Sequence, residues 1–315
     1  MKREYMTERI TFTNLTSSMM QHYENGEFAS ALALIEKYMP DFPDQAARIT
    51  FWRMCLLNLC NRTEDILSVF RYGLDSGLWW AESQFRDSDL DSVRKLPEFK
   101  SLVDASIKKS IEAQAQIGHD KTILAPDDVI DEPPLLITLH GRNGDKNYNL
   151  EYWEIARQRG WLVLSPQSRQ AIYPGSYCWD KSEQGLDDIL FHLKEIIKTY
   201  NIDHKRVVIA GFSQGGGMAI YAALSGKVNI RGFISVGTSI AKPNSLIPLA
   251  GQGGSVRGYF VVGKKDYALE KARAVQKILK ENNFHFDEEV HADLGHEFPP
   301  DFTSTFDKAI EFILE

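Results

Sequence analysis

Residues 205–224 read KRVVIAGFSQGGGMAIYAAL. The run VVIA has the composition of a strand buried on both faces, and GGMAIYAAL reads as a helix. Between them stands Gly211-Phe212-Ser213-Gln214-Gly215, a G-x-S-x-G. Strand before and helix after give this pattern its meaning. The serine has to sit at a sharp strand-to-helix turn with strained backbone angles, and glycines two residues to either side keep the adjoining strand and helix from clashing. The competing reading is a small-residue helix start with a capping serine. Ser213 is expected to be a nucleophile.

Outward from this turn the same rhythm repeats. LLITLHG (135–141), WLVLSP (161–166), IRGFISVG (230–237) and VRGYFVVG (256–263) are short apolar runs bounded by Gly, Pro or polar residues. Amphipathic helices lie between them; over 183–200, Leu186, Ile189, Leu190, Leu193, Ile196 and Ile197 form one apolar stripe. Strand and helix in alternation predict an open, mostly parallel sheet with helices on both sides, binding ligands at the carboxyl ends of its strands.

A serine hydroxyl needs a base within hydrogen-bond reach and an acid to orient that base, in the chain order Ser, Asp/Glu, His. Asp266 ends the buried strand RGYFVVGKKD, whereas Asp287 lies in a mixed strand and Asp293 stands three residues before the candidate histidine. Asp266 is therefore expected to be the acid. His285 and His291 flank or belong to the strand FHFDEEVHA and read as structural. His296, in Leu294-Gly295-His296-Glu297-Phe298-Pro299, falls in a Gly/Pro loop able to bring an imidazole over the sheet, and is expected to be the base. His140 closes the first core strand before Gly141-Arg142-Asn143-Gly144-Asp145 and reads as structural, while that turn supplies a backbone N–H. The oxyanion hole is assigned to the backbone N–H groups of Arg142 and Gln214. Tyr173, Tyr177 and Trp179 follow WLVLSP in a Gly/Pro-containing connection and are candidates to line an acyl or alcohol pocket, against core packing as the plainer reading of Trp179.

LITLHGRNGD, GFSQGG, VGKKD and LGHEFP resemble, in order and over about residues 121–315, the signatures of the phospholipase/carboxylesterase family of α/β-hydrolases, which includes the acyl-protein thioesterases. SPQSRQAIYPGSYCWDKSEQGLDDI is similar to that family's loop after the second core strand, where a Trp-Asp pair recurs; here it is Trp179-Asp180. The resemblance implies an α/β-hydrolase fold and a serine esterase acting on carboxylic esters or thioesters. Two features depart from the family pattern. Arg142 stands where an apolar residue is common, which points toward an anionic or polar substrate, and Gly263-Lys264-Lys265-Asp266 replaces a His-Gly-x-x-Asp around the acid.

Residues 14–118 show helical spacing and no period-2 alternation. Tyr23, Gly26, Phe28, Ala31 and Pro43 lie at the offsets of one tetratricopeptide unit, and a second helix pair is expected over 46–74. The Pro/Asp-rich stretch GHDKTILAPDDVIDEPP marks a boundary. The expected organisation is a tetratricopeptide-like helical domain over 1–118, a linker with a strand over 119–134, and the α/β-hydrolase domain over 135–315. The helical domain either holds a protein or peptide partner or docks over the strand ends, with Trp79 and Trp80 packed inside it or against the hydrolase domain.

Composition narrows the classes. The 315 residues carry a net charge of −7, with 14 basic against 18 acidic side chains over 1–120 and 22 against 25 over 121–315. Neither part is basic, so nucleic acid is not an expected partner. Cys55, Cys60 and Cys178 form no C-x-x-C pair and read as reduced thiols. MKREYMTERITFTNLTSSMM lacks the apolar run of a signal peptide, and no stretch approaches a membrane span, so a cytoplasmic protein is expected. Zinc-ligand spacing, a P-loop and a dinucleotide fingerprint are all missing, so the expected cofactor is none and the expected metal none. The rival enzyme is a serine peptidase of the same fold, because the same residues cleave amides. The rival from another class is a non-catalytic binding scaffold that uses the helical module.

Overall fold

The helical spacing of the first hundred residues becomes α1 (Phe12–Glu24), α2 (Phe28–Tyr38), α3 (Ala46–Leu59), α4 (Thr63–Asp75) and α5 (Pro97–Gln114) in the computed structural model, which describes residues 10–251 and 254–315. Residues 1–9, which open the stretch read as lacking a signal peptide, lie outside the described residues. The chain divides into two units. The first runs to Gln116 and includes Ala171–Gly175; the second comprises Ile117–Gln170 and Ser176–Glu315.

In the first unit, the residues at tetratricopeptide offsets build the α1–α2 hairpin. Tyr23 and Phe28 meet edge to face at 5.7 Å, Ala31 is fully buried, and Pro43 opens a short 3-10 turn beyond α2. Trp80 lies inside this unit. Its ring packs edge-on against Phe70 at 5.6 Å, its indole N–H donates to the Ala47 carbonyl at 3.0 Å, and its backbone N–H donates to Ser106 Oγ at 2.7 Å. A buried indole whose one donor is satisfied contributes its apolar area without an uncompensated polar cost.

The second unit is built on a seven-stranded sheet in the order β1-β3-β2-β6-β7-β8-β9: β1 (Lys121–Leu124), β2 (Leu135–Leu139), β3 (Leu162–Pro166), β6 (Val207–Phe212), β7 (Gly232–Val236), β8 (Arg257–Gly263) and β9 (Phe286–His291). All neighbours pair in parallel except β1, which runs antiparallel to β3 at the edge. Between β3 and the helix expected over 183–200 the sequence reads as a loop. The structure instead has a two-stranded hairpin, β4 (Gln170–Tyr173) and β5 (Ser176–Cys178), around Pro174-Gly175. Its β-forming residues and Pro-Gly turn were the available signal.

The apolar runs bury both faces because alternate residues feed two cores. Leu135, Ile137, Leu139, Val207 and Ile209 pack with α7 (Ser182–Thr199), α8 (Gln214–Leu224) and α9 (Leu269–Glu281). Leu136, Val208, Ala210 and Phe212 pack with α6 (Leu150–Gln158) and α10 (Phe302–Leu314). After β2 the chain turns to β3 on one side and later to β6 on the other, so the crevice at the carboxyl ends of β2 and β6 is the sheet's switch point. No helix among the described residues is long and apolar enough to cross a membrane.

Two buried imidazoles couple this fold to pH. Burial pushes both His140 and His192 down to about 4 from the usual 6.5. The unfolded chain therefore binds more protons between those values than the folded one, and stability falls as pH drops from 6.5 toward 4. Thermal melts should show Tm declining on acidification through this window. His192→Leu, which removes an imidazole whose two nitrogens are buried without partners, should flatten the decline without lowering Tm at neutral pH.

Candidate active site

β6 ends at Phe212 and α8 starts at Gln214, so Ser213 alone makes the turn. Its backbone lies at φ 55° and ψ −118°, a conformation costly for any residue with a Cβ. The surroundings enforce it. The Ser213 N–H donates to the Val236 carbonyl at 2.8 Å, and the Ser213 carbonyl accepts from Gly217 N–H at 3.1 Å and Ser239 N–H at 3.0 Å. A Cβ on Gly211 would lie 2.3 Å from the Gly215 carbonyl carbon, and one on Gly215 would lie 2.2 Å from the Leu139 oxygen. The motif glycines thus allow strand and helix to touch through backbone.

His296 reaches Ser213 from the loop after β9, and Asp266 from the turn after β8. The Ser213 hydroxyl lies 2.8 Å from His296 Nε2, and His296 Nδ1 lies 2.8 Å from Asp266 Oδ1. An ionised carboxylate only accepts, so Nδ1 carries the proton and Nε2 is free to accept from the serine. Asp266 Oδ1 also accepts from Ala268 N–H at 2.7 Å, which holds the carboxylate in place. Gly237, at φ +57°, passes behind the pair: a Cβ there would stand 3.2 Å from Asp266 Oδ2 and 3.3 Å from the His296 ring. The sequence reading passed over Gly237, although a glycine directly after a buried strand was the signal. The other acid and base candidates are engaged elsewhere. Asp293 pairs with Lys265 at 2.8 Å, His291 faces Glu289 at 3.4 Å, and His285 packs on Phe312.

The loop after β2 faces the same serine. A Cβ on Gly141 would lie 3.2 Å from the Phe212 ring and 3.6 Å from Ser213 Cβ, so the loop that leads to Arg142 passes close to Ser213. Gln214 is the first residue of α8, where backbone N–H groups have no carbonyl partner within the helix. His140 is buried and neutral; its Nδ1 lies 2.9 Å from the Gly141 carbonyl, which braces the start of this loop. The Arg142 guanidinium, which in the sequence points toward an anionic or polar substrate, is ion-paired with Asp180.

The three aromatic candidates separate. Tyr173 belongs to the first unit, where its hydroxyl accepts from Arg48 Nε at 2.9 Å. Tyr177 bridges to Gly144 in the β2 loop through its backbone. Trp179 is buried in the core, and its indole N–H donates to the His140 carbonyl at 2.9 Å.

Residues 176–313 match the model of the phospholipase/carboxylesterase family, and residues 11–114 match that of the A/B hydrolase-like N-terminal domain. Over 111 residues, 34% of this chain, the sequence is 37% identical to a bifunctional acetylxylan esterase/xylanase of Neocallimastix patriciarum, and that match spans 16% of the relative's length. A Bacillus cereus ATCC 10987 protein is similar in structure at 22% identity and TM-score 0.54, covering 96% of this chain and 99% of that one. The acyl-protein thioesterase 2 of Zea mays is similar at 17% identity and TM-score 0.50, over 62% of this chain and 99% of its own. These likenesses show an α/β-hydrolase fold with a helical segment ahead of it.

Trp179→Phe keeps most of the ring volume but leaves the His140 carbonyl without its indole donor. Unfolding stability should fall by about 1–3 kcal/mol, the cost of a buried acceptor left unpaired. Denaturant titration measures the loss, and p-nitrophenyl esters of different chain length should keep their order of preference.

Proposed function

We propose that this chain is a serine hydrolase that cleaves carboxylic esters or thioesters through an acyl-enzyme on Ser213. The observation that carries the reading is the unbroken line from Asp266 Oδ1 through the His296 ring to Ser213 Oγ, with 2.8 Å at each step, on a turn at positive φ. The family match and the fold support it. His296 Nε2 takes the Ser213 proton as Oγ bonds to the acyl carbon, and Asp266 stabilises the imidazolium that forms. The negative charge moves to the former carbonyl oxygen, where the backbone N–H groups of Arg142 and Gln214 receive it. Collapse breaks the bond to the leaving alcohol or thiol, which takes the proton from His296. Water then repeats the sequence on the acyl-enzyme, releasing the acid and restoring Ser213.

We further infer that short acyl groups on polar alcohols suit the site better than long lipid chains. Arg142, Asp180 and Gln214 place a polar cluster beside Ser213 where the family commonly has an apolar residue. The match to a relative named as an acetylxylan esterase/xylanase supports acetyl esters of carbohydrate as the first class to assay.

A fluorophosphonate probe should label the full-length protein at Ser213. Ser213→Ala should abolish labelling and lower kcat on p-nitrophenyl acetate by roughly 10⁴–10⁶-fold, since the covalent route is lost while binding remains. Asp266→Asn should fold normally and lose roughly 10⁴-fold, by analogy with the same change in a serine protease, and EDTA should leave the rate unchanged. Wild-type-like turnover in a clean Ser213→Ala preparation would remove the proposal. A peptide amide cleaved faster than the ester would move it to the peptidase class.

A further inference from the structure

We infer that Asp180 is a positioning residue that holds the two oxyanion-hole amides at a common spacing. The inference rests on the serine-hydrolase reading above and adds a residue with no part in the nucleophile, base or acid. The two amides belong to loops from different strands: Arg142 follows β2, and Gln214 opens α8 after β6. Their side chains converge on a single atom. Asp180 Oδ1 accepts from the Arg142 guanidinium and, at 2.8 Å, from Gln214 Nε2.

Neighbouring residues stiffen that junction. The other end of the Gln214 amide, Oε1, accepts from Trp179 N–H at 3.0 Å, so Gln214 is gripped at both ends by consecutive residues. Trp179 in turn holds the His140 carbonyl. Two residues earlier, Tyr177 exchanges backbone hydrogen bonds with the loop that contains Arg142: Asn143 N–H donates to its carbonyl at 2.9 Å, and its N–H donates to the Gly144 carbonyl at 3.0 Å. Segment 177–180 therefore spans the switch point, attached on one side to the β2 loop and on the other to the start of α8.

Energetics separate positioning from stability. The Arg142–Asp180 pair is about a third exposed on both sides, at 33% and 37%, and ion pairs this accessible contribute little to folding. An oxyanion donor is effective only when it meets the developing charge at hydrogen-bond distance, and displacement of a reacting group by about 1 Å costs on the order of 10²-fold in rate. Relaxing the β2 loop against α8 should therefore act on kcat before it acts on the melting temperature.

The experiment compares full-length wild type, Asp180→Ala and Asp180→Asn with p-nitrophenyl acetate, alongside Gln214→Ala and the Asp180→Ala/Gln214→Ala double variant. Asp180→Ala should lower kcat about 10- to 100-fold with KM, Tm and the midpoint of the pH–rate profile unchanged. Asp180→Asn keeps an acceptor for Gln214 but not the charge for Arg142, and should recover part of the rate. The double variant should lose less than the product of the two single losses, because both changes cut the Asp180–Gln214 bond.

If Asp180→Ala keeps kcat within about twofold of a fluorophosphonate-reactive wild type, the positioning role is wrong and the serine-hydrolase reading stands. A rise in KM at constant kcat would overturn it in favour of direct substrate contact. A parallel fall of Tm and kcat, with no recovery in Asp180→Asn, would overturn it in favour of a structural role. A wild type that neither reacts with the probe nor hydrolyses the ester would instead refute the reading on which the inference rests.

Discussion

The Ser213 turn can exist only if strand β6 and helix α8 approach each other, and the loop after β2, through bare backbone. A Cβ at Gly211 or Gly215 would lie within 2.3 Å of main-chain atoms that cannot move without displacing a core strand. This constraint ties Ser213 to the centre of the sheet. It also orders the site, because the backbone that crowds Gly215 belongs to Leu139 and His140, and the oxyanion-hole candidate Arg142 comes two residues after His140. The strain at Ser213 is held by three backbone hydrogen bonds and by packing on both sides of the sheet, not by the serine itself.

Around that turn, the carboxyl ends of five strands each contribute one element. β2 leads to the Arg142 loop, β6 to Ser213, β7 to Gly237, β8 to Asp266 and β9 to His296. Parallel pairing is what makes this possible, since every one of these strands ends on the same side. The interior is rigid and largely apolar, and the polar groups needed for chemistry lie in short connections above it. Burial keeps His140 neutral at the end of β2, and the imidazole hydrogen-bonded to Ser213 is that of His296.

The helical unit follows a different logic. Its stability comes from rings and small residues packed between short helices, with Trp80, Phe85 and Phe99 grouped around Phe70. Few of its polar side chains are buried, and Ser106 is used on Trp80 backbone groups. The helical hairpin resembles a tetratricopeptide unit locally, while the matched domain type is one that accompanies hydrolases. Small-residue helix contacts recur in many families, which is why the offsets alone point to the hairpin and not to its lineage.

The sequence by itself determined the order of strands and helices, because runs such as LLITL and VVIAGF can be satisfied only between two apolar layers. It also pointed to Ser213 through the glycines flanking a strand-to-helix turn, and to Asp266 and His296 through the loop chemistry after the last two strands, and the structure brings these three side chains within hydrogen-bond distance. Tertiary structure decided what lies far apart in the chain but shares a point in space. Asp180, 38 residues from Arg142 and 34 from Gln214, joins the two through one oxygen. Tyr173 and Trp179 stand six residues apart in one aromatic stretch, yet one bonds to Arg48 in the helical unit and the other to His140 beneath the nucleophile. Local periodicity reports which face of an element is buried, but a side chain's partner depends on which loops the sheet order brings together, and no short window of sequence contains that information.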